Sequence, residues 1–383
     1  MFNSDPRLSG QPTSQPTNAK VKVPRSGYRG TTSHPSNVNE PDPNGDVTLV
    51  VSPPVHPPLY KQHPSSFGTN VKSSFSFSAT LASAPATSIG PTVSSTPTES
   101  KPPKTRFRVS SKQLMLASAY FEKMLTPRWQ EGQALGAGGS IELNIPETDP
   151  YTLLIILDII HCRRARVPRV VNFDKLIDLA VLADYFQCHE ALEPYPSIWL
   201  ESLREEVPSV HSNMLVKWIF VSWVFNYDAI FSRVTRIAQR QATYDIYLLE
   251  LPIPESIYGA INHARKTALA SIFGALKRRR EYLETNTRPT CCDDCDSLHL
   301  GALIRLMKSN NLNLEYPYIG LSVEAAAEKV SGFKQPRSIH PTPAPVAFAS
   351  YNRLCETNSR LLGEGTKQEV ENAISVLQGL DLS

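Results

Sequence analysis

Proline is crowded into one end of this chain. Of its 32 prolines, 17 fall in residues 1–104 and 15 in the remaining 279. Proline fixes φ and lacks an amide donor, so it is rare inside helices and central strands. The front quarter is therefore not ordinary globular sequence, and the folded part shrinks to about 280 residues, two domains or so at roughly 150 residues each. Residues 1–45 are Pro, Ser, Thr, Asn and Gly with few large apolar side chains. They bury too little surface to offset the entropy of ordering, which predicts a disordered arm. Residues 52–104 are again low in complexity, with Pro-Pro pairs at 53–54, 57–58 and 102–103 among Ser/Thr tracts. Between them stands Asp46–Val51, a β-branched run preceded by the turn pair Asn44-Gly45, which predicts a strand.

The rest of the chain alternates strand and helix signals up to about residue 205. Thr105–Val109 reads as a strand, with Phe107 and Val109 set against Arg106 and Arg108. Ser110 with Gln113 fits a capping box for one helix carrying Leu114, Ala117, Phe121 and Leu125, stopped by Pro127. Gly132–Gly139 reads as a flexible connection into a strand with Ile141, Leu143 and Ile145. Asp149-Pro150 and Asn172 read as helix starts, Val167–Val171 as extended, Cys188–Leu192 as a short helical turn and Pro196–Arg204 as a helix. From Pro208 onward strand signals nearly vanish. Helices are predicted over Asn213–Phe225, Asp228–Ala242, Pro254–Glu284, Asp296–Ser309 and Ser322–Val330, and Thr366 with Glu369 marks a last one over 366–379. The fold class is α+β followed by an all-α part.

Several classes fall away. No apolar run approaches the roughly 18 residues that span a bilayer; the longest are Leu153–Leu157 and Trp218–Phe225. Met1–Gly10 has no apolar core and does not read as a signal peptide. Six cysteines are too few for a disulfide scaffold, so free thiols in a cytoplasmic or nuclear setting are expected. A net charge of +3 does not call for nucleic acid or a membrane surface. No internal repeat is visible.

The order and spacing of these elements resemble the BTB/POZ domain, in the version common in filamentous fungal proteins. Arg108–Leu125 is similar to the family's strand-then-helix signature. Ile141–Leu143 with Pro146–Pro150, Leu157–His161 and Leu179–Cys188 are similar to its next strand and helices, and Asp46–Val51 to its opening strand. The resemblance covers about 110 residues, 46–51 plus 105–205, and the region around Cys295–Ser297 and Leu300–Leu303 is similar to its fungal counterparts. It implies a small sheet flanked by helices, followed by a helical C-terminal module over 206–333 and a tail over 334–383. It implies no enzymatic activity and no cofactor. It implies a scaffold for protein partners and for a homodimer, with a cullin-type ubiquitin-ligase adaptor as one version. Asp46 matches an acidic residue at the dimer centre of the family; its plainer reading is a turn residue before a strand. Lys112 stands one position away from the basic residue that faces it there, and that role is not carried over. Leu114, Met115 and Phe121 of the first helix are the expected protein-binding residues. In the family the first two strands form a hairpin with a short loop, whereas here residues 52–104 separate them. Closure entropy grows only logarithmically with loop length, so such an insertion costs about 1–3 kcal/mol. It reads either as a tolerated loop or as retained non-coding sequence.

Three clusters bear on chemistry. Cys291–His299 places Cys292 and Cys295 at zinc-knuckle spacing with His299 one turn later, but no second pair completes a four-ligand site. The alternative is a helix start favouring Asp293, Asp294 and Asp296, with ordinary buried thiols. Lys277–Arg280 is a basic run at the end of a long helix, either a solvated face or a nuclear-targeting or phosphate-contacting patch; the second reading makes the chain a nuclear transcription or chromatin regulator. Trp218–Phe225 reads as a core helix or an interface patch. No G-x-S-x-G, Walker loop, G-x-G-x-x-G or H-E-x-x-H motif is present, Gly136–Gly139 precedes a strand rather than a helix, and His161, His189 and His211 lie at scattered helix ends.

Overall fold

The computed structural model describes residues 38–61, 103–287, 292–312, 317–337 and 361–382. A small sheet is built from β1 (Val38–Asn39), β2 (Val47–Val51), β3 (Thr105–Val109) and β4 (Ile141–Asn144), in the order β1-β3-β2-β4. β2 and β3 pair antiparallel, with Val47 opposite Val109 and Val51 opposite Thr105. β4 lies parallel to β2, with Val47 opposite Ile141, and β1 lies parallel to β3. β2 is thus a central strand. Its run of consecutive apolar residues fits that place, since Val47, Leu49, Val50 and Val51 are all buried and both faces are covered. β3, between β2 and the two-residue β1, alternates, Phe107 and Val109 inward, Arg106 outward to Glu142.

Order reaches further into the proline-rich quarter than composition predicts. The disordered arm expected over 1–45 is corrected at its end: Val38–Gly45 runs as a strand and a turn. The Pro41 carbonyl accepts from Arg163 Nε at 2.9 Å, and the Asp42 amide donates to Arg108 O at 3.2 Å. Gly45 packs on the β3 backbone so closely that a Cβ would stand 2.3 Å from Val109 O. The low-complexity insertion expected over 52–104 is likewise corrected over 52–61. There Tyr60 is buried and donates its hydroxyl to Asp178 at 3.1 Å, and Lys61 pairs with the same carboxylate at 2.6 Å. Composition averages over a window, whereas a few anchoring contacts are enough to order a short strap. The disordered arm expected over 1–37 and the low-complexity insertion expected over 62–102 lie outside the described residues.

Among the described residues thirteen α-helices follow: α1 (Ser111–Ala117), α2 (Ala119–Leu125), α3 (Gln130–Gly136), α4 (Pro150–Ile160), α5 (Phe173–Phe186), α6 (His189–Leu192), α7 (Tyr195–Ser202), α8 (Asn213–Val224), α9 (Asp228–Gln241), α10 (Glu255–Thr285), α11 (Asp293–Ser309), α12 (Val323–Ser331) and α13 (Gly363–Ser375). Asp149 and Asn172 cap α4 and α5 as read, accepting from the Thr152 and Lys175 amides. The single helix expected over Leu114–Leu125 is two. Ser118 is extended, donates its hydroxyl to Phe186 O and accepts from the Phe121 amide, so it ends α1 and caps α2. Ser110 makes no side-chain cap bond, so the expected capping box does not form. The expected flexible connection over Gly132–Gly139 overlaps α3, and Val167–Val171 lies in neither helix nor strand.

Among the described residues beyond 205 no strand occurs. One hydrophobic core nonetheless runs across that point, from the sheet through α9 into the start of α10, and Phe173 of α5 stacks on Trp218 of α8 at 4.4 Å. Trp218–Phe225 is therefore a core helix segment. A second core gathers the later half of α10 with α11, α12 and α13. The helix expected at 366–379 is α13, shifted to 363–375, and Thr366 lies inside it instead of capping it. It belongs to the packed body: Arg240 donates to the carbonyls of Ile374 and Leu377, and the Leu380 amide donates to Thr235. Among the described residues no helix is long and apolar enough to cross a membrane.

Candidate functional site

Asp46 lies at the foot of the central strand, where β2 meets α1. Its carboxylate accepts from the Ser111 amide at 2.7 Å and the Ser111 hydroxyl at 2.6 Å. A residue 65 positions upstream thus supplies the acceptor that Ser110 does not. Burial pushes the Asp46 carboxyl up, but the Ser111 bonds and the Lys112 charge outweigh it and hold it below its ordinary value. Beside it the Ser110 amide donates to His161 Nε2 at 3.0 Å, and His161 Nδ1 faces the Leu157 carbonyl at 2.8 Å. That pairing makes Nδ1 the protonated nitrogen of a neutral ring, in keeping with burial, which depresses its basicity.

The residues named for partner binding separate. Leu114 and Phe121 are core residues, fully buried beneath α1 and α2, and cannot meet a partner; this corrects the sequence reading. Helical spacing marked the right stripe, but that stripe faces inward. Met115 is half-buried. The outward side chain is Leu116, which the sequence reading passed over: it is 89% exposed, with Lys112 also exposed one turn before it.

The weak metal candidates do not assemble. Among the described residues no three His, Cys, Asp or Glu side chains gather as a ligand set. Cys295 and His299 are both buried, and His299 Nε2 is engaged by the Gln335 amide at 2.9 Å. The basic run is mostly a surface feature: Lys277, Arg278 and Arg280 are exposed, Arg278 pairing with Glu369 and Arg280 with Glu284 one turn on, while half-buried Arg279 donates to Leu361 O. A second basic stretch went unread, because it sits in a turn rather than on a helix. Arg163, Arg164, Arg166 and Arg169 are all exposed after α4. Arg164 and Arg169 border a groove of about 660 Å³ floored by Ile159, Ile160 and Ile198.

A cavity of about 550 Å³ opens between the 52–61 strap, the turn from β4 into α4, and α5. Its walls are largely apolar. Its inner end is a charged network: Lys175 pairs with Asp149 at 2.7 Å and approaches Asp178 at 3.8 Å, while Lys61 and Tyr60 hold Asp178 from the strap. Asp149 is held below its ordinary value: burial raises it, and the Lys175 and Thr152 bonds win. The strap is further tied by the Val55 amide, which donates to Glu147 at 3.4 Å. Among known proteins the chain matches no family model, no curated protein and no solved structure.

Proposed function

We propose that this chain is a non-enzymatic protein-interaction scaffold in which residues 46–51 and 105–205 form a BTB/POZ-type module for self-association and partner binding. Support comes from the hairpin of β2 and β3, which closes across the long 52–104 connection, and from β4 beside β2 with helices on the flanks. The observation that carries the reading is Leu116. Leu116 is 89% exposed on α1, whose Ser111 and Leu114 are buried, and it is the side chain this reading assigns to contact. Partners are proteins, a second copy of the chain first among them, in the cytoplasm or nucleus. A cullin adaptor is one version of this role. The alternative is a nuclear transcription or chromatin regulator acting through the same module and the basic run, whose Lys277, Arg278 and Arg280 are exposed. Affinity capture with the full chain, read by mass spectrometry, tests the role. Recovery of a cullin supports the adaptor version. A strictly monomeric bait that retains nothing contradicts the scaffold.

A further inference from the structure

We infer that the groove beyond the C-terminal end of α4 receives an extended acidic segment of a partner protein, with aliphatic side chains on its floor and carboxylates at its arginine rim. Ile159 and Ile160 of α4 and Ile198 of α7 make the floor, and the small side chains of Ala117 and Ala191 border it. A volume of about 660 Å³ lies in the range of ligand sites. Ala117 follows exposed Leu116 in the chain, so the groove begins beside the end of α1, the helix assigned to contact.

The arginines after α4 divide two and two. Arg163 donates Nε to Pro41 O at 2.9 Å, and Arg166 stands 3.8 Å from Asp158, so these two hold the turn against its neighbours. Trp199 pins the same turn from α7, donating Nε1 to Pro168 O at 2.9 Å. Arg164 and Arg169 are the two that line the groove. Both are exposed, and among the described residues neither has a hydrogen bond or an ion pair. Their plain reading is a pair of cations at a helix C-terminus. That end is already closed, because the Cys162 and Arg163 amides donate to the carbonyls of Ile159 and Asp158 at 3.0 and 2.7 Å. Glu193 also lines the groove, exposed, and pairs with neither arginine among the described residues.

The two chemistries together select the occupant. A guanidinium binds a carboxylate through paired charge-assisted bonds. A bare anion would satisfy the arginines and leave the isoleucine floor wet. An extended peptide meets both demands, since its alternate side chains face opposite ways: aliphatic residues turn to the floor and the acidic ones between them stay at the rim.

Naming a partner protein as the source rests on the scaffold reading; the groove and its two arginines do not. The test uses the full chain with labelled Ile, Leu and Val methyl groups, titrated with the blocked peptides acetyl-Leu-Glu-Leu-Glu-Leu-amide and acetyl-Leu-Gln-Leu-Gln-Leu-amide. The glutamate peptide should shift the methyls of Ile159, Ile160 and Ile198 and bind about tenfold more tightly than the glutamine peptide. In the R164Q/R169Q variant that preference should vanish. In I198E, which puts a negative charge on the floor at an exposed position, the glutamate peptide should lose binding while the circular dichroism spectrum is kept. Absence of methyl shifts at roughly 1 mM peptide, equal affinity for the two peptides, or an unchanged preference in R164Q/R169Q overturns the proposal. Shifts of the same methyls on raising the protein concentration without peptide would make a second copy of the chain the occupant, and would overturn it too. Light scattering on the same samples reads self-association separately, so failure of this site and failure of the scaffold reading are distinguishable.

Discussion

Ser111 donates both its backbone amide and its hydroxyl to the carboxylate of Asp46, at 2.7 and 2.6 Å. The two residues join the first buried turn of the central strand to the first helix. Asp46→Ala should therefore cost about 1–2 kcal/mol, the range for losing a helix N-terminal acceptor. The pH sign follows from the depressed folded value. The stabilisation is present above the unfolded value of 3.8 and is lost as pH falls from there through the lower folded value. Denaturant melts of wild type and Asp46→Asn should converge as the pH is lowered. Equal stability of the two at neutral pH would contradict this.

β2 lies between β3 and β4, so it cannot be removed without splitting the sheet. A chain lacking residues 1–102 should lose cooperative unfolding, because Val47, Leu49 and Val51 vanish from the core. Leu49→Ala in the full chain should cost about 2–5 kcal/mol. A truncated chain with the melting temperature of the whole would show that the strand is dispensable.

Arg265 works as an internal strut. It is 3% exposed and donates to four carbonyls, those of Ala242, Thr243, Tyr318 and Leu321, so it fastens α10 to two loops. Lysine cannot reproduce that fork. Arg265→Lys should lose about 1–3 kcal/mol, and Arg265→Ala more, measured by urea unfolding. A neutral Arg265→Ala would mean that water replaces the strut.

Two buried histidines and one half-buried one give the fold an acid sensitivity. Burial depresses His161, opposed by the Leu157 carbonyl and Asp42 and reinforced by Arg163; it depresses His211, reinforced by Arg265, and His299, reinforced by Arg279 and opposed by Asp296. Below the unfolded value of 6.5 the unfolded chain takes up protons that the folded chain refuses. Stability should thus fall as pH drops from 6.5 through the folded values. Urea melts at pH 7.5 and 5.5 check this, and His161→Gln should flatten part of the slope. Stability that stays level or rises toward pH 5.5 would contradict it.

What the sequence revealed depended on the kind of signal. Asp149 and Asn172 declare helix starts by chemistry local to one turn, and both were legible. The split at Ser118 was not, because it depends on a bond to Phe186, 68 residues away. Leu114 and Phe121 were found as a helical stripe, but periodicity does not say which side a partner would take, and the exposed member is Leu116. The strap at 52–61 was hidden by its prolines, since one buried tyrosine and one lysine carry its order. The 550 Å³ cavity was hidden for the same reason, because it is assembled from three distant segments.

The central claim is self-association through the exposed face of α1, and Leu116→Asp tests it most directly. An exposed substitution should change monomer stability by less than about 0.5 kcal/mol, so the oligomeric state reports the interface alone. Light scattering on the full chain should give twice the chain mass of 42.5 kDa for wild type and a single chain mass for Leu116→Asp, with matching circular dichroism. A wild-type chain that is monomeric at micromolar concentration, or a Leu116→Asp variant that remains dimeric, would contradict the account.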